Sequence, residues 1–552
     1  MDHRAHFGLD TVRRVDSLAI TWPDGRRQVV TNFPVDTLLV VRDSASSPSR
    51  LPASSPGSPR LFVSSRAPAY RHETNQQVDY RVQPLLPYMI SRQGPALAAG
   101  DVNGDRLDDL YVGGSGGGGS AGRLFLQNRA GAFTPAPSQP WEADRAQGDW
   151  GATFFDANGD GRLDLYVASG GYHMAPTSRL LQDRLYINRG EGRFDRDTAA
   201  LPEMHTSTAV VRAGDFTGDG RPDLFVGGRV TPRRYPYPTR SYLLRNDGGR
   251  FVDVTAQVAP ELARDAGMIT DASWIDFDGD DRLDLVTVGE WMPIQFHKNE
   301  GSRFTDVTSS TRLPSLRGWW YSLATGDFDG DARVDLIAGN LGLNHTFTAS
   351  SDAKFGVYAA DFTGNQNADV ILTKVVDGVE YPLHGLVPLG REVYPIGLRF
   401  PTYGSFAAVA MRDVLPQEKL SQALHLQADT FASMHLRNNG DGTFTATALP
   451  TMAQISTIRG IVVHDVDGDG AVDAVVAGNI YDMEANIPPA DAGNGLWLKG
   501  DGKGAFAPIS PMQSGFLAPG NVSGLALFRT AVGHSIVVAN TGDSLQIFRL
   551  RK

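Results

Sequence analysis

The chain has 552 residues, 41% of them hydrophobic and 20% charged, the proportions of a globular protein with material for a large core. Its formal net charge of -11 argues against a nucleic-acid partner, which requires a basic face. Cysteine is absent, which excludes disulfides, thiolate zinc sites and cysteine nucleophiles together. No run approaches the ~20 apolar residues of a membrane-spanning helix, so no transmembrane segment is expected.

Residues 1–43 read as a small β domain of three strands, VDSLAITW (15–22), RQVVTNF (27–33) and TLLVVRD (37–43), with a PDG turn between the first two. Residues 44–76 read as a linker, rich in Ser and Pro through SASSPSRLPASSPGSPR at 44–60. A repeat domain is expected over 77–552, in which VDYRVQP at 78–84 is a candidate strand for closing a ring against the C-terminus.

The repeat itself is a nine-residue segment that occurs seven times. The copies are DVNGDRLDD from Asp101, DANGDGRLD from Asp156, DFTGDGRPD from Asp215, DFDGDDRLD from Asp276, DFDGDARVD from Asp327, DFTGNQNAD from Asp361 and DVDGDGAVD from Asp465. Oxygens at positions 1, 3 and 5 of a tight loop converge on one point, position 7 offers a backbone carbonyl, and a later carboxylate closes the shell, as in loops that hold calcium. Position 4 is Gly in every copy, which suits a left-handed turn.

The candidate Ca2+ ligands are therefore Asp101, Asn103, Asp105 and Asp109; Asp156, Asn158, Asp160 and Asp164; Asp215, Thr217, Asp219 and Asp223; and Asp276, Asp278, Asp280 and Asp284. The last three copies add Asp327, Asp329, Asp331 and Asp335; Asp361, Thr363, Asn365 and Asp369; and Asp465, Asp467, Asp469 and Asp473. Ordinary Asp, Asn and Gly turn chemistry is the alternative, and seven copies in one frame argue against it. Because affinity follows ligand charge, the Asp361 loop, with two carboxylates, is expected to be the emptiest.

A short apolar run precedes each loop and another follows, so each loop joins two strands. RLFLQNRAGAFT, RLYINRGEGRF, YLLRNDGGRF, FHKNEGSRF and HLRNNGDGTF then read as a third strand, an Asn/Gly turn and a fourth strand. Four antiparallel strands at this recurrence describe a propeller blade, giving an all-β fold. GLALFRT from Gly524 is an eighth inner-type strand without an acidic loop, so eight blades are favoured, with seven a close second. The Asp361 loop is assigned to blade six, with an insert at about 386–433 whose apolar spacing is helical and whose Pro416 suits a helix start. GGSGGGGSAG at 113–122 lacks the Lys and Ser/Thr pair of a phosphate loop and reads as loop slack.

With their preceding strands, the acidic loops resemble the FG-GAP or VCBS repeats of integrin alpha-chain propellers and many bacterial secreted proteins, over about 95–552. The N-terminus resembles the ASPIC/UnbV domain of the cartilage acidic protein family, through HFGL at His6 to Leu9 and WPDG at Trp22 to Gly25. The resemblance implies an extracellular, periplasmic or cell-surface setting. Weak repeated calcium sites point the same way, since they fill where calcium is near millimolar. The opening MDHRAHFGLD carries no export segment, so the signal is expected upstream in a longer chain.

If the calcium hairpins leave one end of each blade, the long connections leave the other. Binding is expected there, because loops on a rigid scaffold carry recognition. The candidate ligand contacts are His173, Arg233, Arg234, Tyr235, Trp291, Trp319, His345 and Tyr481, with packing between blades the alternative for the tryptophans. A recognition or adhesion module for carbohydrate or protein is the leading reading. A propeller enzyme on extracellular polysaccharide, using His173 or His345 with Arg233 or Tyr235, and a structural partner in a surface assembly are the alternatives. No HExxH, G-x-S-x-G or P-loop motif supports an enzyme.

Overall fold

Runs such as DLYVASG at 164–170 are buried along their whole length, and strands with both faces covered are what stacked blades require. The computed structural model describes residues 7–9, 11–22, 27–42, 60–117, 119–264 and 266–551. They form two units, Met1–Pro59 and Arg60–Lys552. In the first, Arg14–Thr21 pairs antiparallel with Arg27–Pro34, Leu18 facing Val30. Of the third strand expected over 37–43, the described residues 37–42 form none. His6, the turn at 23–26 and residues 43–59 lie outside the described residues, as does Gly118 of the glycine-rich loop.

In the second unit, seven antiparallel sheets follow one another along the chain, six of four strands and one of five, to which Gly318–Trp319 adds the extra strand. Their first strands begin at Leu97, Gly148, Thr208, Met268, Ser322, Gly460 and Val522. Each first strand packs against that of the next sheet, and the last packs against the first, so the cycle closes as a ring of blades around an axis. The acidic loops are the hairpins between first and second strands. In all seven copies the residue before the loop pairs with its ninth residue, as in Gly100 with Asp109 and His464 with Asp473.

Two expectations about the ring are corrected. The closing strand is not 78–84, where Asp79–Arg81 forms one helical turn, but Phe62–Ser65, which pairs with Gln546–Leu550 as the outermost strand of the last blade. Part of the expected linker is therefore propeller. The Asp361 loop does not belong to a blade either, and the favoured count of eight becomes seven sheets in the ring plus one inserted sheet.

That inserted sheet holds Phe355–Ala360, Asp369–Val376, Val379–Pro382 and Leu424–Ala428. It interrupts blade five, whose second and third strands, Asp335–Gly339 and Met434–Asn438, pair directly across the insertion. Five short helices between Leu386 and Gln422 are part of it, and Pro416 caps the last of them. Alternation divides its faces: Val370 and Leu372 join the cluster of Trp291, Trp319 and Tyr235, whereas Ile371 packs under the helices with Leu389 and Met411. The insert thus covers the end of the ring opposite the calcium hairpins.

Candidate metal centre

Each acidic loop is folded by its first residue. In all seven, Oδ1 of the first Asp accepts hydrogen bonds from the backbone N–H groups of positions 4 and 5, and Oδ2 accepts one from position 6. The position-4 glycines have φ between +75° and +82°, the left-handed region that the sequence suggested. Position 6 is left-handed as well, and in Arg106, Asp281, Ala332 and Gln366 it is not glycine.

The ninth carboxylate ties the loop to its blade. Asp109, Asp164, Asp223, Asp284, Asp335 and Asp473 are fully buried. In each, Oδ1 accepts a backbone N–H from the third strand, at Gln127, Asn188, Asn246, Asn299, Asn438 and Gly500. Burial pushes Asp109 and Asp284 up to about 7 and Asp164 and Asp473 up to about 6, against the opposing pull of those backbone donors. A divalent cation would reverse that tendency by favouring the charged form. Asp369, in the inserted sheet, is only half-buried and receives no third-strand donor among the described residues.

Carboxylates converge most closely in three loops, where Asp276, Asp278 and Asp284, then Asp327, Asp329 and Asp335, then Asp465, Asp467 and Asp469 each bring oxygens within 4.8 Å of one another. Asp278 Oδ1 and Asp467 Oδ1 are buried without a hydrogen-bond partner. Orphaned carboxylate oxygens beside two further carboxylates form a donor set that fits a hard cation such as Ca2+.

Basic residues offset part of this charge. Arg162, Arg221, Arg282 and Arg333 at position 7 pair with the position-5 carboxylates Asp160, Asp219, Asp280 and Asp331, while their Nε donates to a third-strand carbonyl. From the third strand, Lys298 reaches Asp278 and Asp280, Arg437 reaches Asp329 and Asp331, and Lys499 reaches Asp467 and Asp469. Position 7 was visible in the sequence as R-x-D. The third-strand cations were not, because only the sheet brings them to the loop.

The candidate ligand contacts divide. Tyr235 and Trp319 are fully buried and Trp291 is 4% exposed, so these three are core, a correction to their reading as surface contacts. Trp291 donates from Nε1 to the Tyr235 hydroxyl at 2.7 Å and stacks on Phe355 of the inserted sheet, and Trp319 meets Phe347, Phe355 and Phe431 edge-on. They seat the insert. Arg233 and Arg234 are exposed, with Arg234 over the Tyr237 ring. Tyr481 is 47% exposed and donates to the Pro519 carbonyl, while His173 and His345 are half-buried, with pKa values lowered by burial.

The ASPIC and UnbV family model matches residues 1–48, and the FG-GAP-like repeat model matches residues 101–167, 175–226 and 276–338. The fold and its loops therefore define an FG-GAP repeat propeller. This chain is an FG-GAP repeat protein with an N-terminal ASPIC/UnbV domain. No curated protein matches it. Among solved structures it is similar to BBS1N in complex with ARL6DN, at 9% identity over 89% of this chain and 98% of that one, TM-score 0.43. It is also similar to the V. cholerae biofilm matrix protein Bap1, at 12% identity over 83% of this chain and 77% of that one, TM-score 0.33. A third is Saccharomyces cerevisiae Sqt1, at 9% identity over 84% of this chain and 98% of that one, TM-score 0.39. No helix among the described residues is long and apolar enough to cross a membrane.

Proposed function

We propose that this protein is a calcium-stabilised recognition module, secreted or held at a cell surface, whose propeller presents loops to a carbohydrate or protein ligand. The observation that carries the calcium reading is the convergence of loop carboxylates around the unpartnered Asp278 Oδ1 and Asp467 Oδ1. Each loop joins two strands of one sheet, so binding that only the native state assembles adds to folding stability. Six such staples sit in the ring and the seventh, at Asp361, in the insert.

Recognition is assigned to the end that carries the long connections, through Arg233, Arg234 and Tyr481 with His173 and His345 beside them. The enzyme alternative uses His173 or His345 with Arg233 or Tyr235, and among the described residues the histidines instead meet the Ser91 hydroxyl and the Pro488 carbonyl. A glycan array probed with and without chelator tests the reading. Calcium-dependent binding that is lost in Arg233→Ala/Tyr481→Ala supports it; binding unchanged in that double variant would remove these residues from the site.

A further inference from the structure

The seven first strands leave an axial cavity of about 240 Å3, lined by residues of every blade. At its end nearest the insert, Arg229, Tyr321, Arg459 and Gln93 converge. Arg229 is 2% exposed, and its Nη2 donates to the Tyr88 hydroxyl at 2.8 Å and pairs with Glu290 Oε1 at 2.9 Å. Its Nη1 has no partner among the described residues, and the buried Tyr321 hydroxyl lies beside the Glu290 carboxylate without a hydrogen bond of ordinary geometry. Arg459 makes no ion pair among the described residues and donates from Nη2 to Gln93 Oε1 at 3.0 Å. Burial draws Arg229 down to about 10, which leaves it charged at neutral pH.

The charge around this end does not cancel. Arg212, which also lines the cavity, is neutralised by Asp271. Arg229 has Glu290, whose Oε2 is likewise unpartnered but which does not itself line the cavity. Arg459 is the surplus cation. Arg459 is half-buried, and a cation partly withdrawn from water without an ion-pair partner, like the unsatisfied buried donor of Arg229, calls for an occupant. Trp150, Leu97, Leu323 and Leu525 supply apolar wall beside these donors. Further along the first strands, Thr153, Ala213, Ser273, Thr325 and His464 are part-exposed, so the cavity opens toward the calcium-loop end.

We infer that the axial cavity binds a small organic carboxylate, with its oxygens on Arg459, Arg229 Nη1 and the Tyr321 hydroxyl and its hydrocarbon against the apolar wall. Two guanidiniums and a hydroxyl match an oxyanion, since charge-assisted hydrogen bonds are the strong ones. The wall favours a carboxylate with a tail over an inorganic anion. This site is separate from the calcium loops and from the loops assigned to recognition.

Titration calorimetry and thermal unfolding of the full chain in saturating calcium, with sodium butyrate against sodium sulfate and sodium chloride at equal ionic strength, test it. Butyrate is expected to bind saturably and raise Tm, with sulfate weaker and chloride without effect. Arg459→Gln should weaken butyrate by about tenfold or more and Tyr321→Phe by a smaller factor, as lost hydrogen bonds to a charged group do. Both variants should keep the calcium dependence of Tm, which shows that they fold. Equal shifts with all three salts, or butyrate binding unchanged in both variants, would overturn the assignment; tighter sulfate than butyrate would overturn the organic ligand.

Discussion

At the sixth loop position, Ala332 holds φ of +66° where three of the seven loops use glycine. A Cβ in the left-handed region costs roughly 1–2 kcal/mol, part of which the larger unfolded-state entropy of glycine cancels. Ala332→Gly is therefore expected to stabilise the protein by up to about 1 kcal/mol in urea unfolding. Gly330→Ala, at φ of +78°, should cost roughly 1–2 kcal/mol, chiefly as backbone strain, since the new methyl meets only the Gly502 carbonyl at an ordinary contact of 3.5 Å. Trp291 calls for the opposite argument. Buried between Tyr235, Trp319 and Phe355, it should lose about 3–5 kcal/mol of folding stability as Trp291→Ala. A stability change near zero would return it to the surface.

At the scale of elements, the third strand of four blades holds both its own loop and its neighbour's. Asn188, Asn246, Asn299 and Asn438 donate from Nδ2 to the position-2 carbonyl of the preceding blade's loop, at Val102, Ala157, Phe216 and Phe277. Asn246→Ala leaves the Ala157 and Pro222 carbonyls without that donor and should cost about 1–3 kcal/mol by thermal or urea unfolding. The cations on these strands act on the metal instead. Lys499 bridges Asp467 and Asp469, so Lys499→Met is expected to raise calcium affinity at that loop by roughly three- to tenfold in a metal titration. An unchanged affinity would mean that the ammonium moves aside when calcium enters. The expected weakness of the Asp361 loop gains a second reason here, because Asp369 is half-buried and lacks the third-strand donor that its counterparts share.

For the whole molecule, calcium, ring closure and the insert act on one structure. Chelation is expected to lower Tm, since sites made only by the folded ring link calcium to stability. Identical melting with and without chelator would reduce the loops to turns. The loops were legible in the sequence because their chemistry is local: the nine positions, the glycine at position 4 and the flanking apolar runs lie within one hairpin, and short-range geometry suffices to aim their oxygens. The first-to-fourth strand order of the four blades before the insert was legible for the same reason. Ring closure was not, because Phe62–Ser65 pairs with a strand at the opposite end of the chain, and a four-residue strand carries too little periodicity to announce a distant partner. Nor was the place of the Asp361 sheet, since its loop matches the others and only the direct pairing of Ile337 with His435 across it shows that blade five is complete without it. Tyr235, Trp291 and Trp319 sit in loops by sequence, yet the inserted sheet covers them. Burial depends on what folds over a residue, and that covering comes from a segment whose position only tertiary packing decides.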